Sequence, residues 1–410
     1  MSRNGNQWES PPDLPENNYV SSEIYTDEEI YKAELSNIFK KTWQLACHES
    51  EIAAVGDYRA VTVADTPLIV VRGDDEQVRC FLNVCSHRSS KVVYEAAGNA
   101  KRLVCPFHLW TYDTKGECVE RPRACGYDAH GPEAGKMGLR QIRSEMRHGI
   151  VFVNLDDAAQ SLSDYTGNSW DVIDEVLGSG PLEVFHHHRF VVEANWKQWH
   201  ETNMELYHEW GHSVNRRTSI MAKGYFDRKW GMHPNGHGWL NPSADFVVNY
   251  ANYKGWSNRD EKPLPGLLPN EYRILDLFPN TTIMMRSTNI RIDRSTPLGP
   301  NKTLVEYRGL GIKGESAEDR AMRQKHHNQF WGPFGRNLPE DILFVQAVSP
   351  NNQSQAAKFG IFSRYEDGKT QDDEIIRAYY RAWSRHMGIS ASAPKRRPRK
   401  VAVAASVKGG

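Results

Sequence analysis

Cys85-Ser-His87 is followed, after 17 intervening residues, by Cys105-Pro-Phe-His108. Each short knuckle offers one thiol and one imidazole, a donor set that suits either zinc or a mixed-ligand iron–sulfur centre. Spacing separates the two. Zinc sites usually pair like ligands, as C-x2-4-C or H-x3-5-H. A Rieske [2Fe–2S] cluster takes two cysteines on one iron and two histidines on the other, which matches one of each per knuckle. Histidine ligation sets such a cluster at roughly −150 to +300 mV, against about −400 mV for an all-cysteine plant-type cluster. It can therefore accept electrons and pass them to an oxygen-binding iron.

The run from Asn195-Trp196-Lys197 to Glu205-Leu-Tyr207-His208-Glu-Trp-Gly-His212 reads as one helix. Residues four apart lie about 40° from each other on a helix face, so His208 and His212 offer two imidazoles together. Two imidazoles and one carboxylate make the facial triad that leaves positions open on iron(II). Glu205, one turn earlier, suits an acceptor that fixes the tautomer of His208. The third ligand is expected from a distant segment, as Asp341 in the first turn of a proline-opened helix, with Glu340 the competitor. His208-Glu209-Trp210-Gly211-His212 also spells H-E-x-x-H. A zinc protease reading leaves the Cys/His knuckles unexplained, and Gly211 weakens the helix it needs.

The elements that must hold these residues differ along the chain. Residues 1–45 read as an extended arm and a helix, with Ile30, Leu35, Ile38, Phe39 and Trp43 on its apolar face. Residues 46–160 alternate short β-branched runs with Gly/Asp/Asn turns, an antiparallel β domain. Residues 161–388 open with an acidic interdomain stretch and then mix strands and helices, and 389–410 read as a disordered basic tail around KRRPRK. The 410 residues balance 51 Lys and Arg against 51 Asp and Glu, which argues against a nucleic-acid partner. The absence of a long apolar run or an export signal makes a cytoplasmic protein the expectation, with no membrane association. Cys47, Cys80, Cys118 and Cys125 lack ligand spacing and are expected as small buried hydrophobes.

With both motifs in hand, the chain resembles the large (alpha) subunits of the aromatic-ring-hydroxylating Rieske non-haem iron oxygenases. Trp110, the Asn195-Trp196-Lys197 run, Tyr207-His208 and the pair Asp341 and Gln346 follow that family's order. The opening (LPENNYV, then IYTDEEIYKAELSNIF) also looks like methanesulfonate monooxygenase large subunits. The resemblance implies an α+β fold, in which an antiparallel β Rieske domain joins a helix-grip catalytic domain whose antiparallel sheet is flanked by helices. It implies a [2Fe–2S] cluster on Cys85, His87, Cys105 and His108, and a mononuclear Fe(II) on His208, His212 and Asp341. It further implies electrons from an NAD(P)H-dependent reductase, directly or through a ferredoxin, and O2 as co-substrate. The small-molecule substrate is expected to be aromatic or anionic, as in aromatic hydrocarbon catabolism. The closing run Ala378 to Arg385 looks like that of members that assemble with a small beta subunit, so a trimer-based hetero-oligomer is expected. In it one subunit's cluster feeds its neighbour's iron across Glu205.

Two departures stand out. Many members leave four residues between the iron histidines, and this chain leaves three. Most carry Asp where this chain has Glu205, so a monooxygenase of a small alkanesulfonate or quaternary amine is the alternative to ring dihydroxylation. Respiratory Rieske electron carriers have an extra cysteine in each loop, where Ser90 and Phe107 stand here, and need far less chain. Gly309-Leu-Gly311-Ile-Lys-Gly314 matches G-x-G-x-x-G, but Glu315, Glu318 and Asp319 follow at once and would repel a pyrophosphate. Residues 215–300 are expected to line the substrate pocket, with Arg216, Arg217, Arg286, His233 and His237 as candidate anion contacts.

Overall fold

The computed structural model describes residues 9–127, 136–216, 228–240, 262–269, 271–364 and 372–394. Two seven-stranded antiparallel sheets dominate it. In the first, the strands lie in the spatial order Gln44–His48, Ile150–Asn154, Gln141–Arg147, Val78–Leu82, Thr66–Arg72, Asp57–Val63 and Ala97–Asn99. A three-stranded sheet of Leu103–Val104, Thr111–Tyr112 and Cys118–Glu120 carries the second Cys/His knuckle. The other large sheet runs Leu182–Val192, Lys302–Ile312, Asn289–Gly299, Thr281–Arg286, Tyr272–Leu277, Gly238–Leu240 and Trp230–Met232. The helices Trp196–Met204, Ala317–Trp331, Leu338–Gln353 and Glu374–Met387 flank it. This is the α+β architecture expected from the sequence.

The second sheet is covered on both faces, which is uncommon for antiparallel strands. Side chains alternate along a strand, and here the two sides feed different cores. Ile274 and Met284 join Trp196, Trp199 and Phe330 under the helices, while Leu275, Ile283 and Met285 join Trp43, Leu45 and Trp170. Trp43 and Leu45 come from the N-terminal half, so the two halves share a core. Polar contacts across the same seam reinforce it. Glu51 Oε2 accepts from Arg308 Nε at 2.8 Å, and Arg294 donates to the Leu45 carbonyl at 2.7 Å.

A buried ion pair ties the N-terminal arm to the helices around the site. Glu34 and Lys197 are both fully buried and 2.6 Å apart. The Glu34 carboxylate also accepts from the indole N–H groups of Trp196 (2.8 Å) and Trp383 (2.7 Å). Lys197 and Trp196 of the Asn-Trp-Lys run, together with Trp383, therefore join three helices at one carboxylate. Removing one partner of such a pair strands a buried charge, at about 3–5 kcal/mol.

Four local expectations change. The N-terminal helix stops at Glu34 in a π-turn, Leu35–Phe39, so Trp43 belongs to the sheet-side core and not to a helix face. The acidic interdomain stretch, expected over residues 160–180 as a helix and linker, is helical in short pieces over 162–177 and is buried through Trp170 and Ile173. Residues 389–394 do not begin a disordered tail: Ala391 and Ser392 are buried, and Ser392 Oγ donates to the Tyr19 carbonyl at 2.7 Å. The KRRPRK run lies outside the described residues. Cys47 and Cys80 are fully buried as expected, but Cys118 is half-buried and Cys125 exposed.

Candidate metal centres

The two Cys/His knuckles are near copies of each other. Cys85 N–H donates to the Ser90 carbonyl and Ser89 N–H returns to Cys85, while Cys105 N–H donates to Trp110 and Leu109 N–H returns to Cys105. Ser89 (φ 57°) and Leu109 (φ 60°) adopt the left-handed conformation that closes each loop. The loops bring the side chains together: the His87 and His108 rings are 4.6 Å apart, and the two thiols are in hydrogen-bond contact. Around them, His87 stacks on Trp110 and meets the Tyr127 hydroxyl at 3.1 Å, and Tyr112 OH lies 3.1 Å from Cys85 Sγ.

Electrostatics there favour metal-binding protonation states. Burial would raise the Cys105 thiol, but the N–H of Phe107, the Cys85 thiol and the N–H of His108 bring it below its ordinary value. His87 is lowered by desolvation, with His108 and Arg88 adding to it. A thiolate and a neutral imidazole are the ligand forms. His108 Nδ1 is buried with no hydrogen-bond partner, as expected of a nitrogen kept for a metal. The donor set fits the cluster.

The second centre is built differently from the single helix expected. The helix ends at Met204, and Glu205 turns extended (φ −139°, ψ 151°) before a short 3-10 turn, Tyr207–Trp210. Glu205 itself explains the break. One carboxylate oxygen accepts the His208 N–H at 2.9 Å and the other meets the ring Nδ1 at 2.7 Å, so the residue holds both the backbone and the imidazole of His208. His212 then lies just beyond the turn, its ring 5.3 Å from that of His208.

Asp341 arrives from the first turn of Leu338–Gln353, as the proline-opened helix implied. Its Oδ1 is 3.2 Å from His212 Nε2 and 3.5 Å from His208 Nε2. Glu340 takes the other role: its carboxylate meets His212 Nδ1 at 2.8 Å and also accepts the Ser213 N–H. Each imidazole thus has a carboxylate on Nδ1 and turns Nε2 toward Asp341. His212 Nε2 and Asp341 Oδ1 are buried and misaligned for a proper hydrogen bond, and the three residues converge within ligand range of one point. Burial opposes protonation of His208, yet Glu205 and Asp341 raise it well above its ordinary value, and Asp341 raises His212 likewise. Asp341, despite its burial, is held down to about 2 by the two imidazoles. A dication would replace the protons these rings attract, and the set fits iron(II).

Sequence reasoning identified these ligand candidates but not Tyr112, Tyr127 or the role of Glu340, because hydrogen bonds across the fold leave no spacing signal. Nor did it single out Arg291. This guanidinium is buried, stacks on Tyr307 (4.5 Å) and Trp331 (5.1 Å), and pairs with Asp293 at 3.1 Å. Asp341 contributes to its raised pKa, which places it within electrostatic reach of the site. The expected pocket contacts fare less well. His237 is structural, meeting the Tyr165 carbonyl and accepting from Phe278 N–H, and His233 N–H pairs with the His237 carbonyl. Arg286 stacks on Tyr272 and Phe330, and Arg216 is exposed at the end of a short helix. Arg217 lies outside the described residues.

A cavity of about 560 Å³ opens beside His208, lined among others by Tyr25, Glu201, Glu205, Tyr207 and Phe344. It reaches Glu205, the carboxylate on the Nδ1 edge of His208, and its lining does not include His212 or Asp341. At the first centre, Phe107 and Leu109 beside the candidate ligands are more than half exposed.

Known proteins agree with this layout. Residues 42–129 match the Rieske [2Fe–2S] domain, and residues 179–388 match the ring hydroxylating alpha subunit catalytic domain. The chain is 44% identical over 394 residues to the 2-aminobenzenesulfonate 2,3-dioxygenase alpha subunit of Alcaligenes sp, covering 96% of this chain and 99% of that one. It is 41% identical over 408 residues to the methanesulfonate monooxygenase hydroxylase alpha subunit of Methylosulfonomonas methylovora, covering 96% and 97%. Among solved structures, naphthalene 1,2-dioxygenase from Rhodococcus sp. shares the fold at TM-score 0.77 and 22% identity, over 90% of this chain and 94% of that one. The chain belongs to the ring-hydroxylating oxygenase alpha subunits, O2-using oxidoreductases whose Rieske [2Fe–2S] domain precedes a catalytic domain for mononuclear iron.

Proposed function

We propose that the chain is the terminal oxygenase component of a multicomponent cytoplasmic system that oxygenates an organosulfonate. The observation that carries the oxygenase reading is the convergence of His208 and His212 Nε2 on Asp341, with a carboxylate fixing each Nδ1. The sulfonate reading rests on the two relatives above 40% identity, whose names both specify sulfonates.

In this reading Cys85, Cys105, His87 and His108 hold the cluster, within a domain spanning 46–160. His208, His212 and Asp341 hold the iron, within a domain spanning 161–388. The bound metals supply electron transfer and O2 activation. Glu205 and Glu340 keep each imidazole in the tautomer that presents Nε2, and their loss would let the rings turn. Glu205 also opens on the cavity at the Nδ1 edge of His208. We assign that cavity to docking of a neighbouring subunit's cluster, with exposed Phe107 and Leu109 as the apolar contact face. A trimer-based assembly with a small beta subunit follows, and a separate NAD(P)H-dependent reductase, with or without a ferredoxin, supplies electrons.

A second reading, monooxygenation of a small alkanesulfonate, is favoured by the methanesulfonate relative and by Glu205 in place of the usual aspartate. Oxygen uptake and product analysis with the cognate reductase test both. Aminobenzenesulfonate, methanesulfonate, an aromatic carboxylate and a quaternary amine are compared. A sulfonate should be turned over with the highest kcat/KM, and the product distinguishes one inserted oxygen from two. Faster turnover of the carboxylate or the amine would overturn the sulfonate assignment.

A further inference from the structure

A further cluster of imidazoles shares no residue with either centre. His186 and His188 alternate on the edge strand Leu182–Val192, so both project from one face of the sheet. His327, on the helix Ala317–Trp331, packs down onto them from above. One ring nitrogen from each lies within 4.8 Å of the others, and His186 Nε2 is 3.1 Å from His188 Nδ1. Two nitrogens bound tetrahedrally at about 2.05 Å from zinc would sit about 3.3 Å apart.

Two features make this more than three neighbouring histidines. His327 is completely buried, and neither of its ring nitrogens has a hydrogen-bond partner. An imidazole buried with both nitrogens unsatisfied is costly unless something else engages it. The backbone has also been cleared for it: a Cβ at Gly309 would come within 3.0 Å of His327 Nδ1. That glycine opens the run resembling a dinucleotide motif, which here lies along the strand Lys302–Ile312 and the turn after it.

We propose that His186, His188 and His327 form a divalent transition-metal site, best suited to zinc, that clamps the helix Ala317–Trp331 to the edge strand. Three imidazoles are an established zinc donor set and leave a fourth position for water or an anion. The rings are ready for it. Burial lowers all three, His188 to about 4, with His187 adding to it at His186, and with neighbouring imidazoles and Arg291 adding to it at His188 and His327, which favours the neutral, metal-binding forms. The nearby Arg291, whose charge is felt at His188 and His327, is paired with Asp293 at 3.1 Å.

Metal analysis of the full chain tests this after zinc reconstitution and desalting. Wild type should retain about one zinc per chain in addition to its iron. His327→Phe and the half-buried His186→Gln should each lose that zinc while keeping the iron and the visible spectrum of the cluster. Asp341→Ala should do the reverse, keeping zinc and losing mononuclear iron. Cobalt in place of zinc should give visible d–d absorption that His186→Gln abolishes. The proposal is overturned if wild type retains no zinc, or if His186→Gln, folded with its cluster intact, retains as much as wild type.

Discussion

The two metal centres of this chain are made in opposite ways. The cluster site is local: two matching loops, each closed within six residues from Cys85 to Ser90 and from Cys105 to Trp110, present one thiol and one imidazole apiece. The iron site is global. His212 and Glu340 meet across 128 positions of sequence, and Glu205 must break a helix to aim His208. Backbone turns hold the first; tertiary packing of the helices Trp196–Met204 and Leu338–Gln353 holds the second. Each can therefore be broken while the other survives.

The largest effect is expected at the ligands. Cys105→Ser should abolish the visible spectrum of the cluster while leaving a chain that still takes up one ferrous iron; a variant that keeps its spectrum would refute the ligand assignment. Turnover should stop altogether, because electrons no longer reach the site.

Next come the two carboxylates on the Nδ1 edges of the imidazoles, Glu205 and Glu340. Glu205→Gln should retain both metals and lose about 10²-fold in turnover. Full activity would count against the proposed electron path through Glu205. Glu340→Gln should instead weaken iron binding, by about 10-fold, with little effect on the cluster. Titrating ferrous iron into both variants separates a relay from a positioning role.

Lys197→Met sharpens the contrast through stability. Glu34 would be left buried and unpaired, at about 3–5 kcal/mol. Because Lys197 starts the helix that leads to Glu205, iron affinity should fall before cluster content does. Thermal unfolding followed by cluster absorbance and by iron release reads both. Coincident loss of the two signals would mean that the halves unfold as one unit.

The smallest effect is a pH slope. Burial raises the Glu201 carboxyl to about 7, with Tyr25 and Tyr380 as its hydrogen-bond partners. The folded state then holds a proton that the unfolded chain releases near the ordinary 4.5. Stability should accordingly decline as pH rises from about 4.5 to about 7. Glu201→Gln should flatten that slope in chemical denaturation, and an unchanged slope would count against the raised carboxyl.

The same contrast explains what the sequence could say. The Cys/His knuckles were legible because local loops impose local spacing, and the strands and flanking helices because alternation and helical periodicity are local too. His208 and His212 were legible as types, but not the broken helix between Met204 and His208, where the Glu205 carboxylate bonds the backbone and ring of His208. Asp341 was expected ahead of Glu340 from the proline-opened turn, but the place of Glu340 needed the fold: adjacent carboxylates on one helix turn face different atoms of His212. Arg291, Glu34 and His327 gave no signal at all, because burial and pairing across distant segments have no sequence period.

The central claim is that one chain carries two separable iron centres, the second closed by Asp341. Iron content and visible absorbance of anaerobically loaded Asp341→Ala, beside wild type, test it most directly. The account predicts a fall from three irons per chain to two, with the Rieske spectrum unchanged. Three irons retained by the variant, or loss of the cluster spectrum along with the iron, would contradict it.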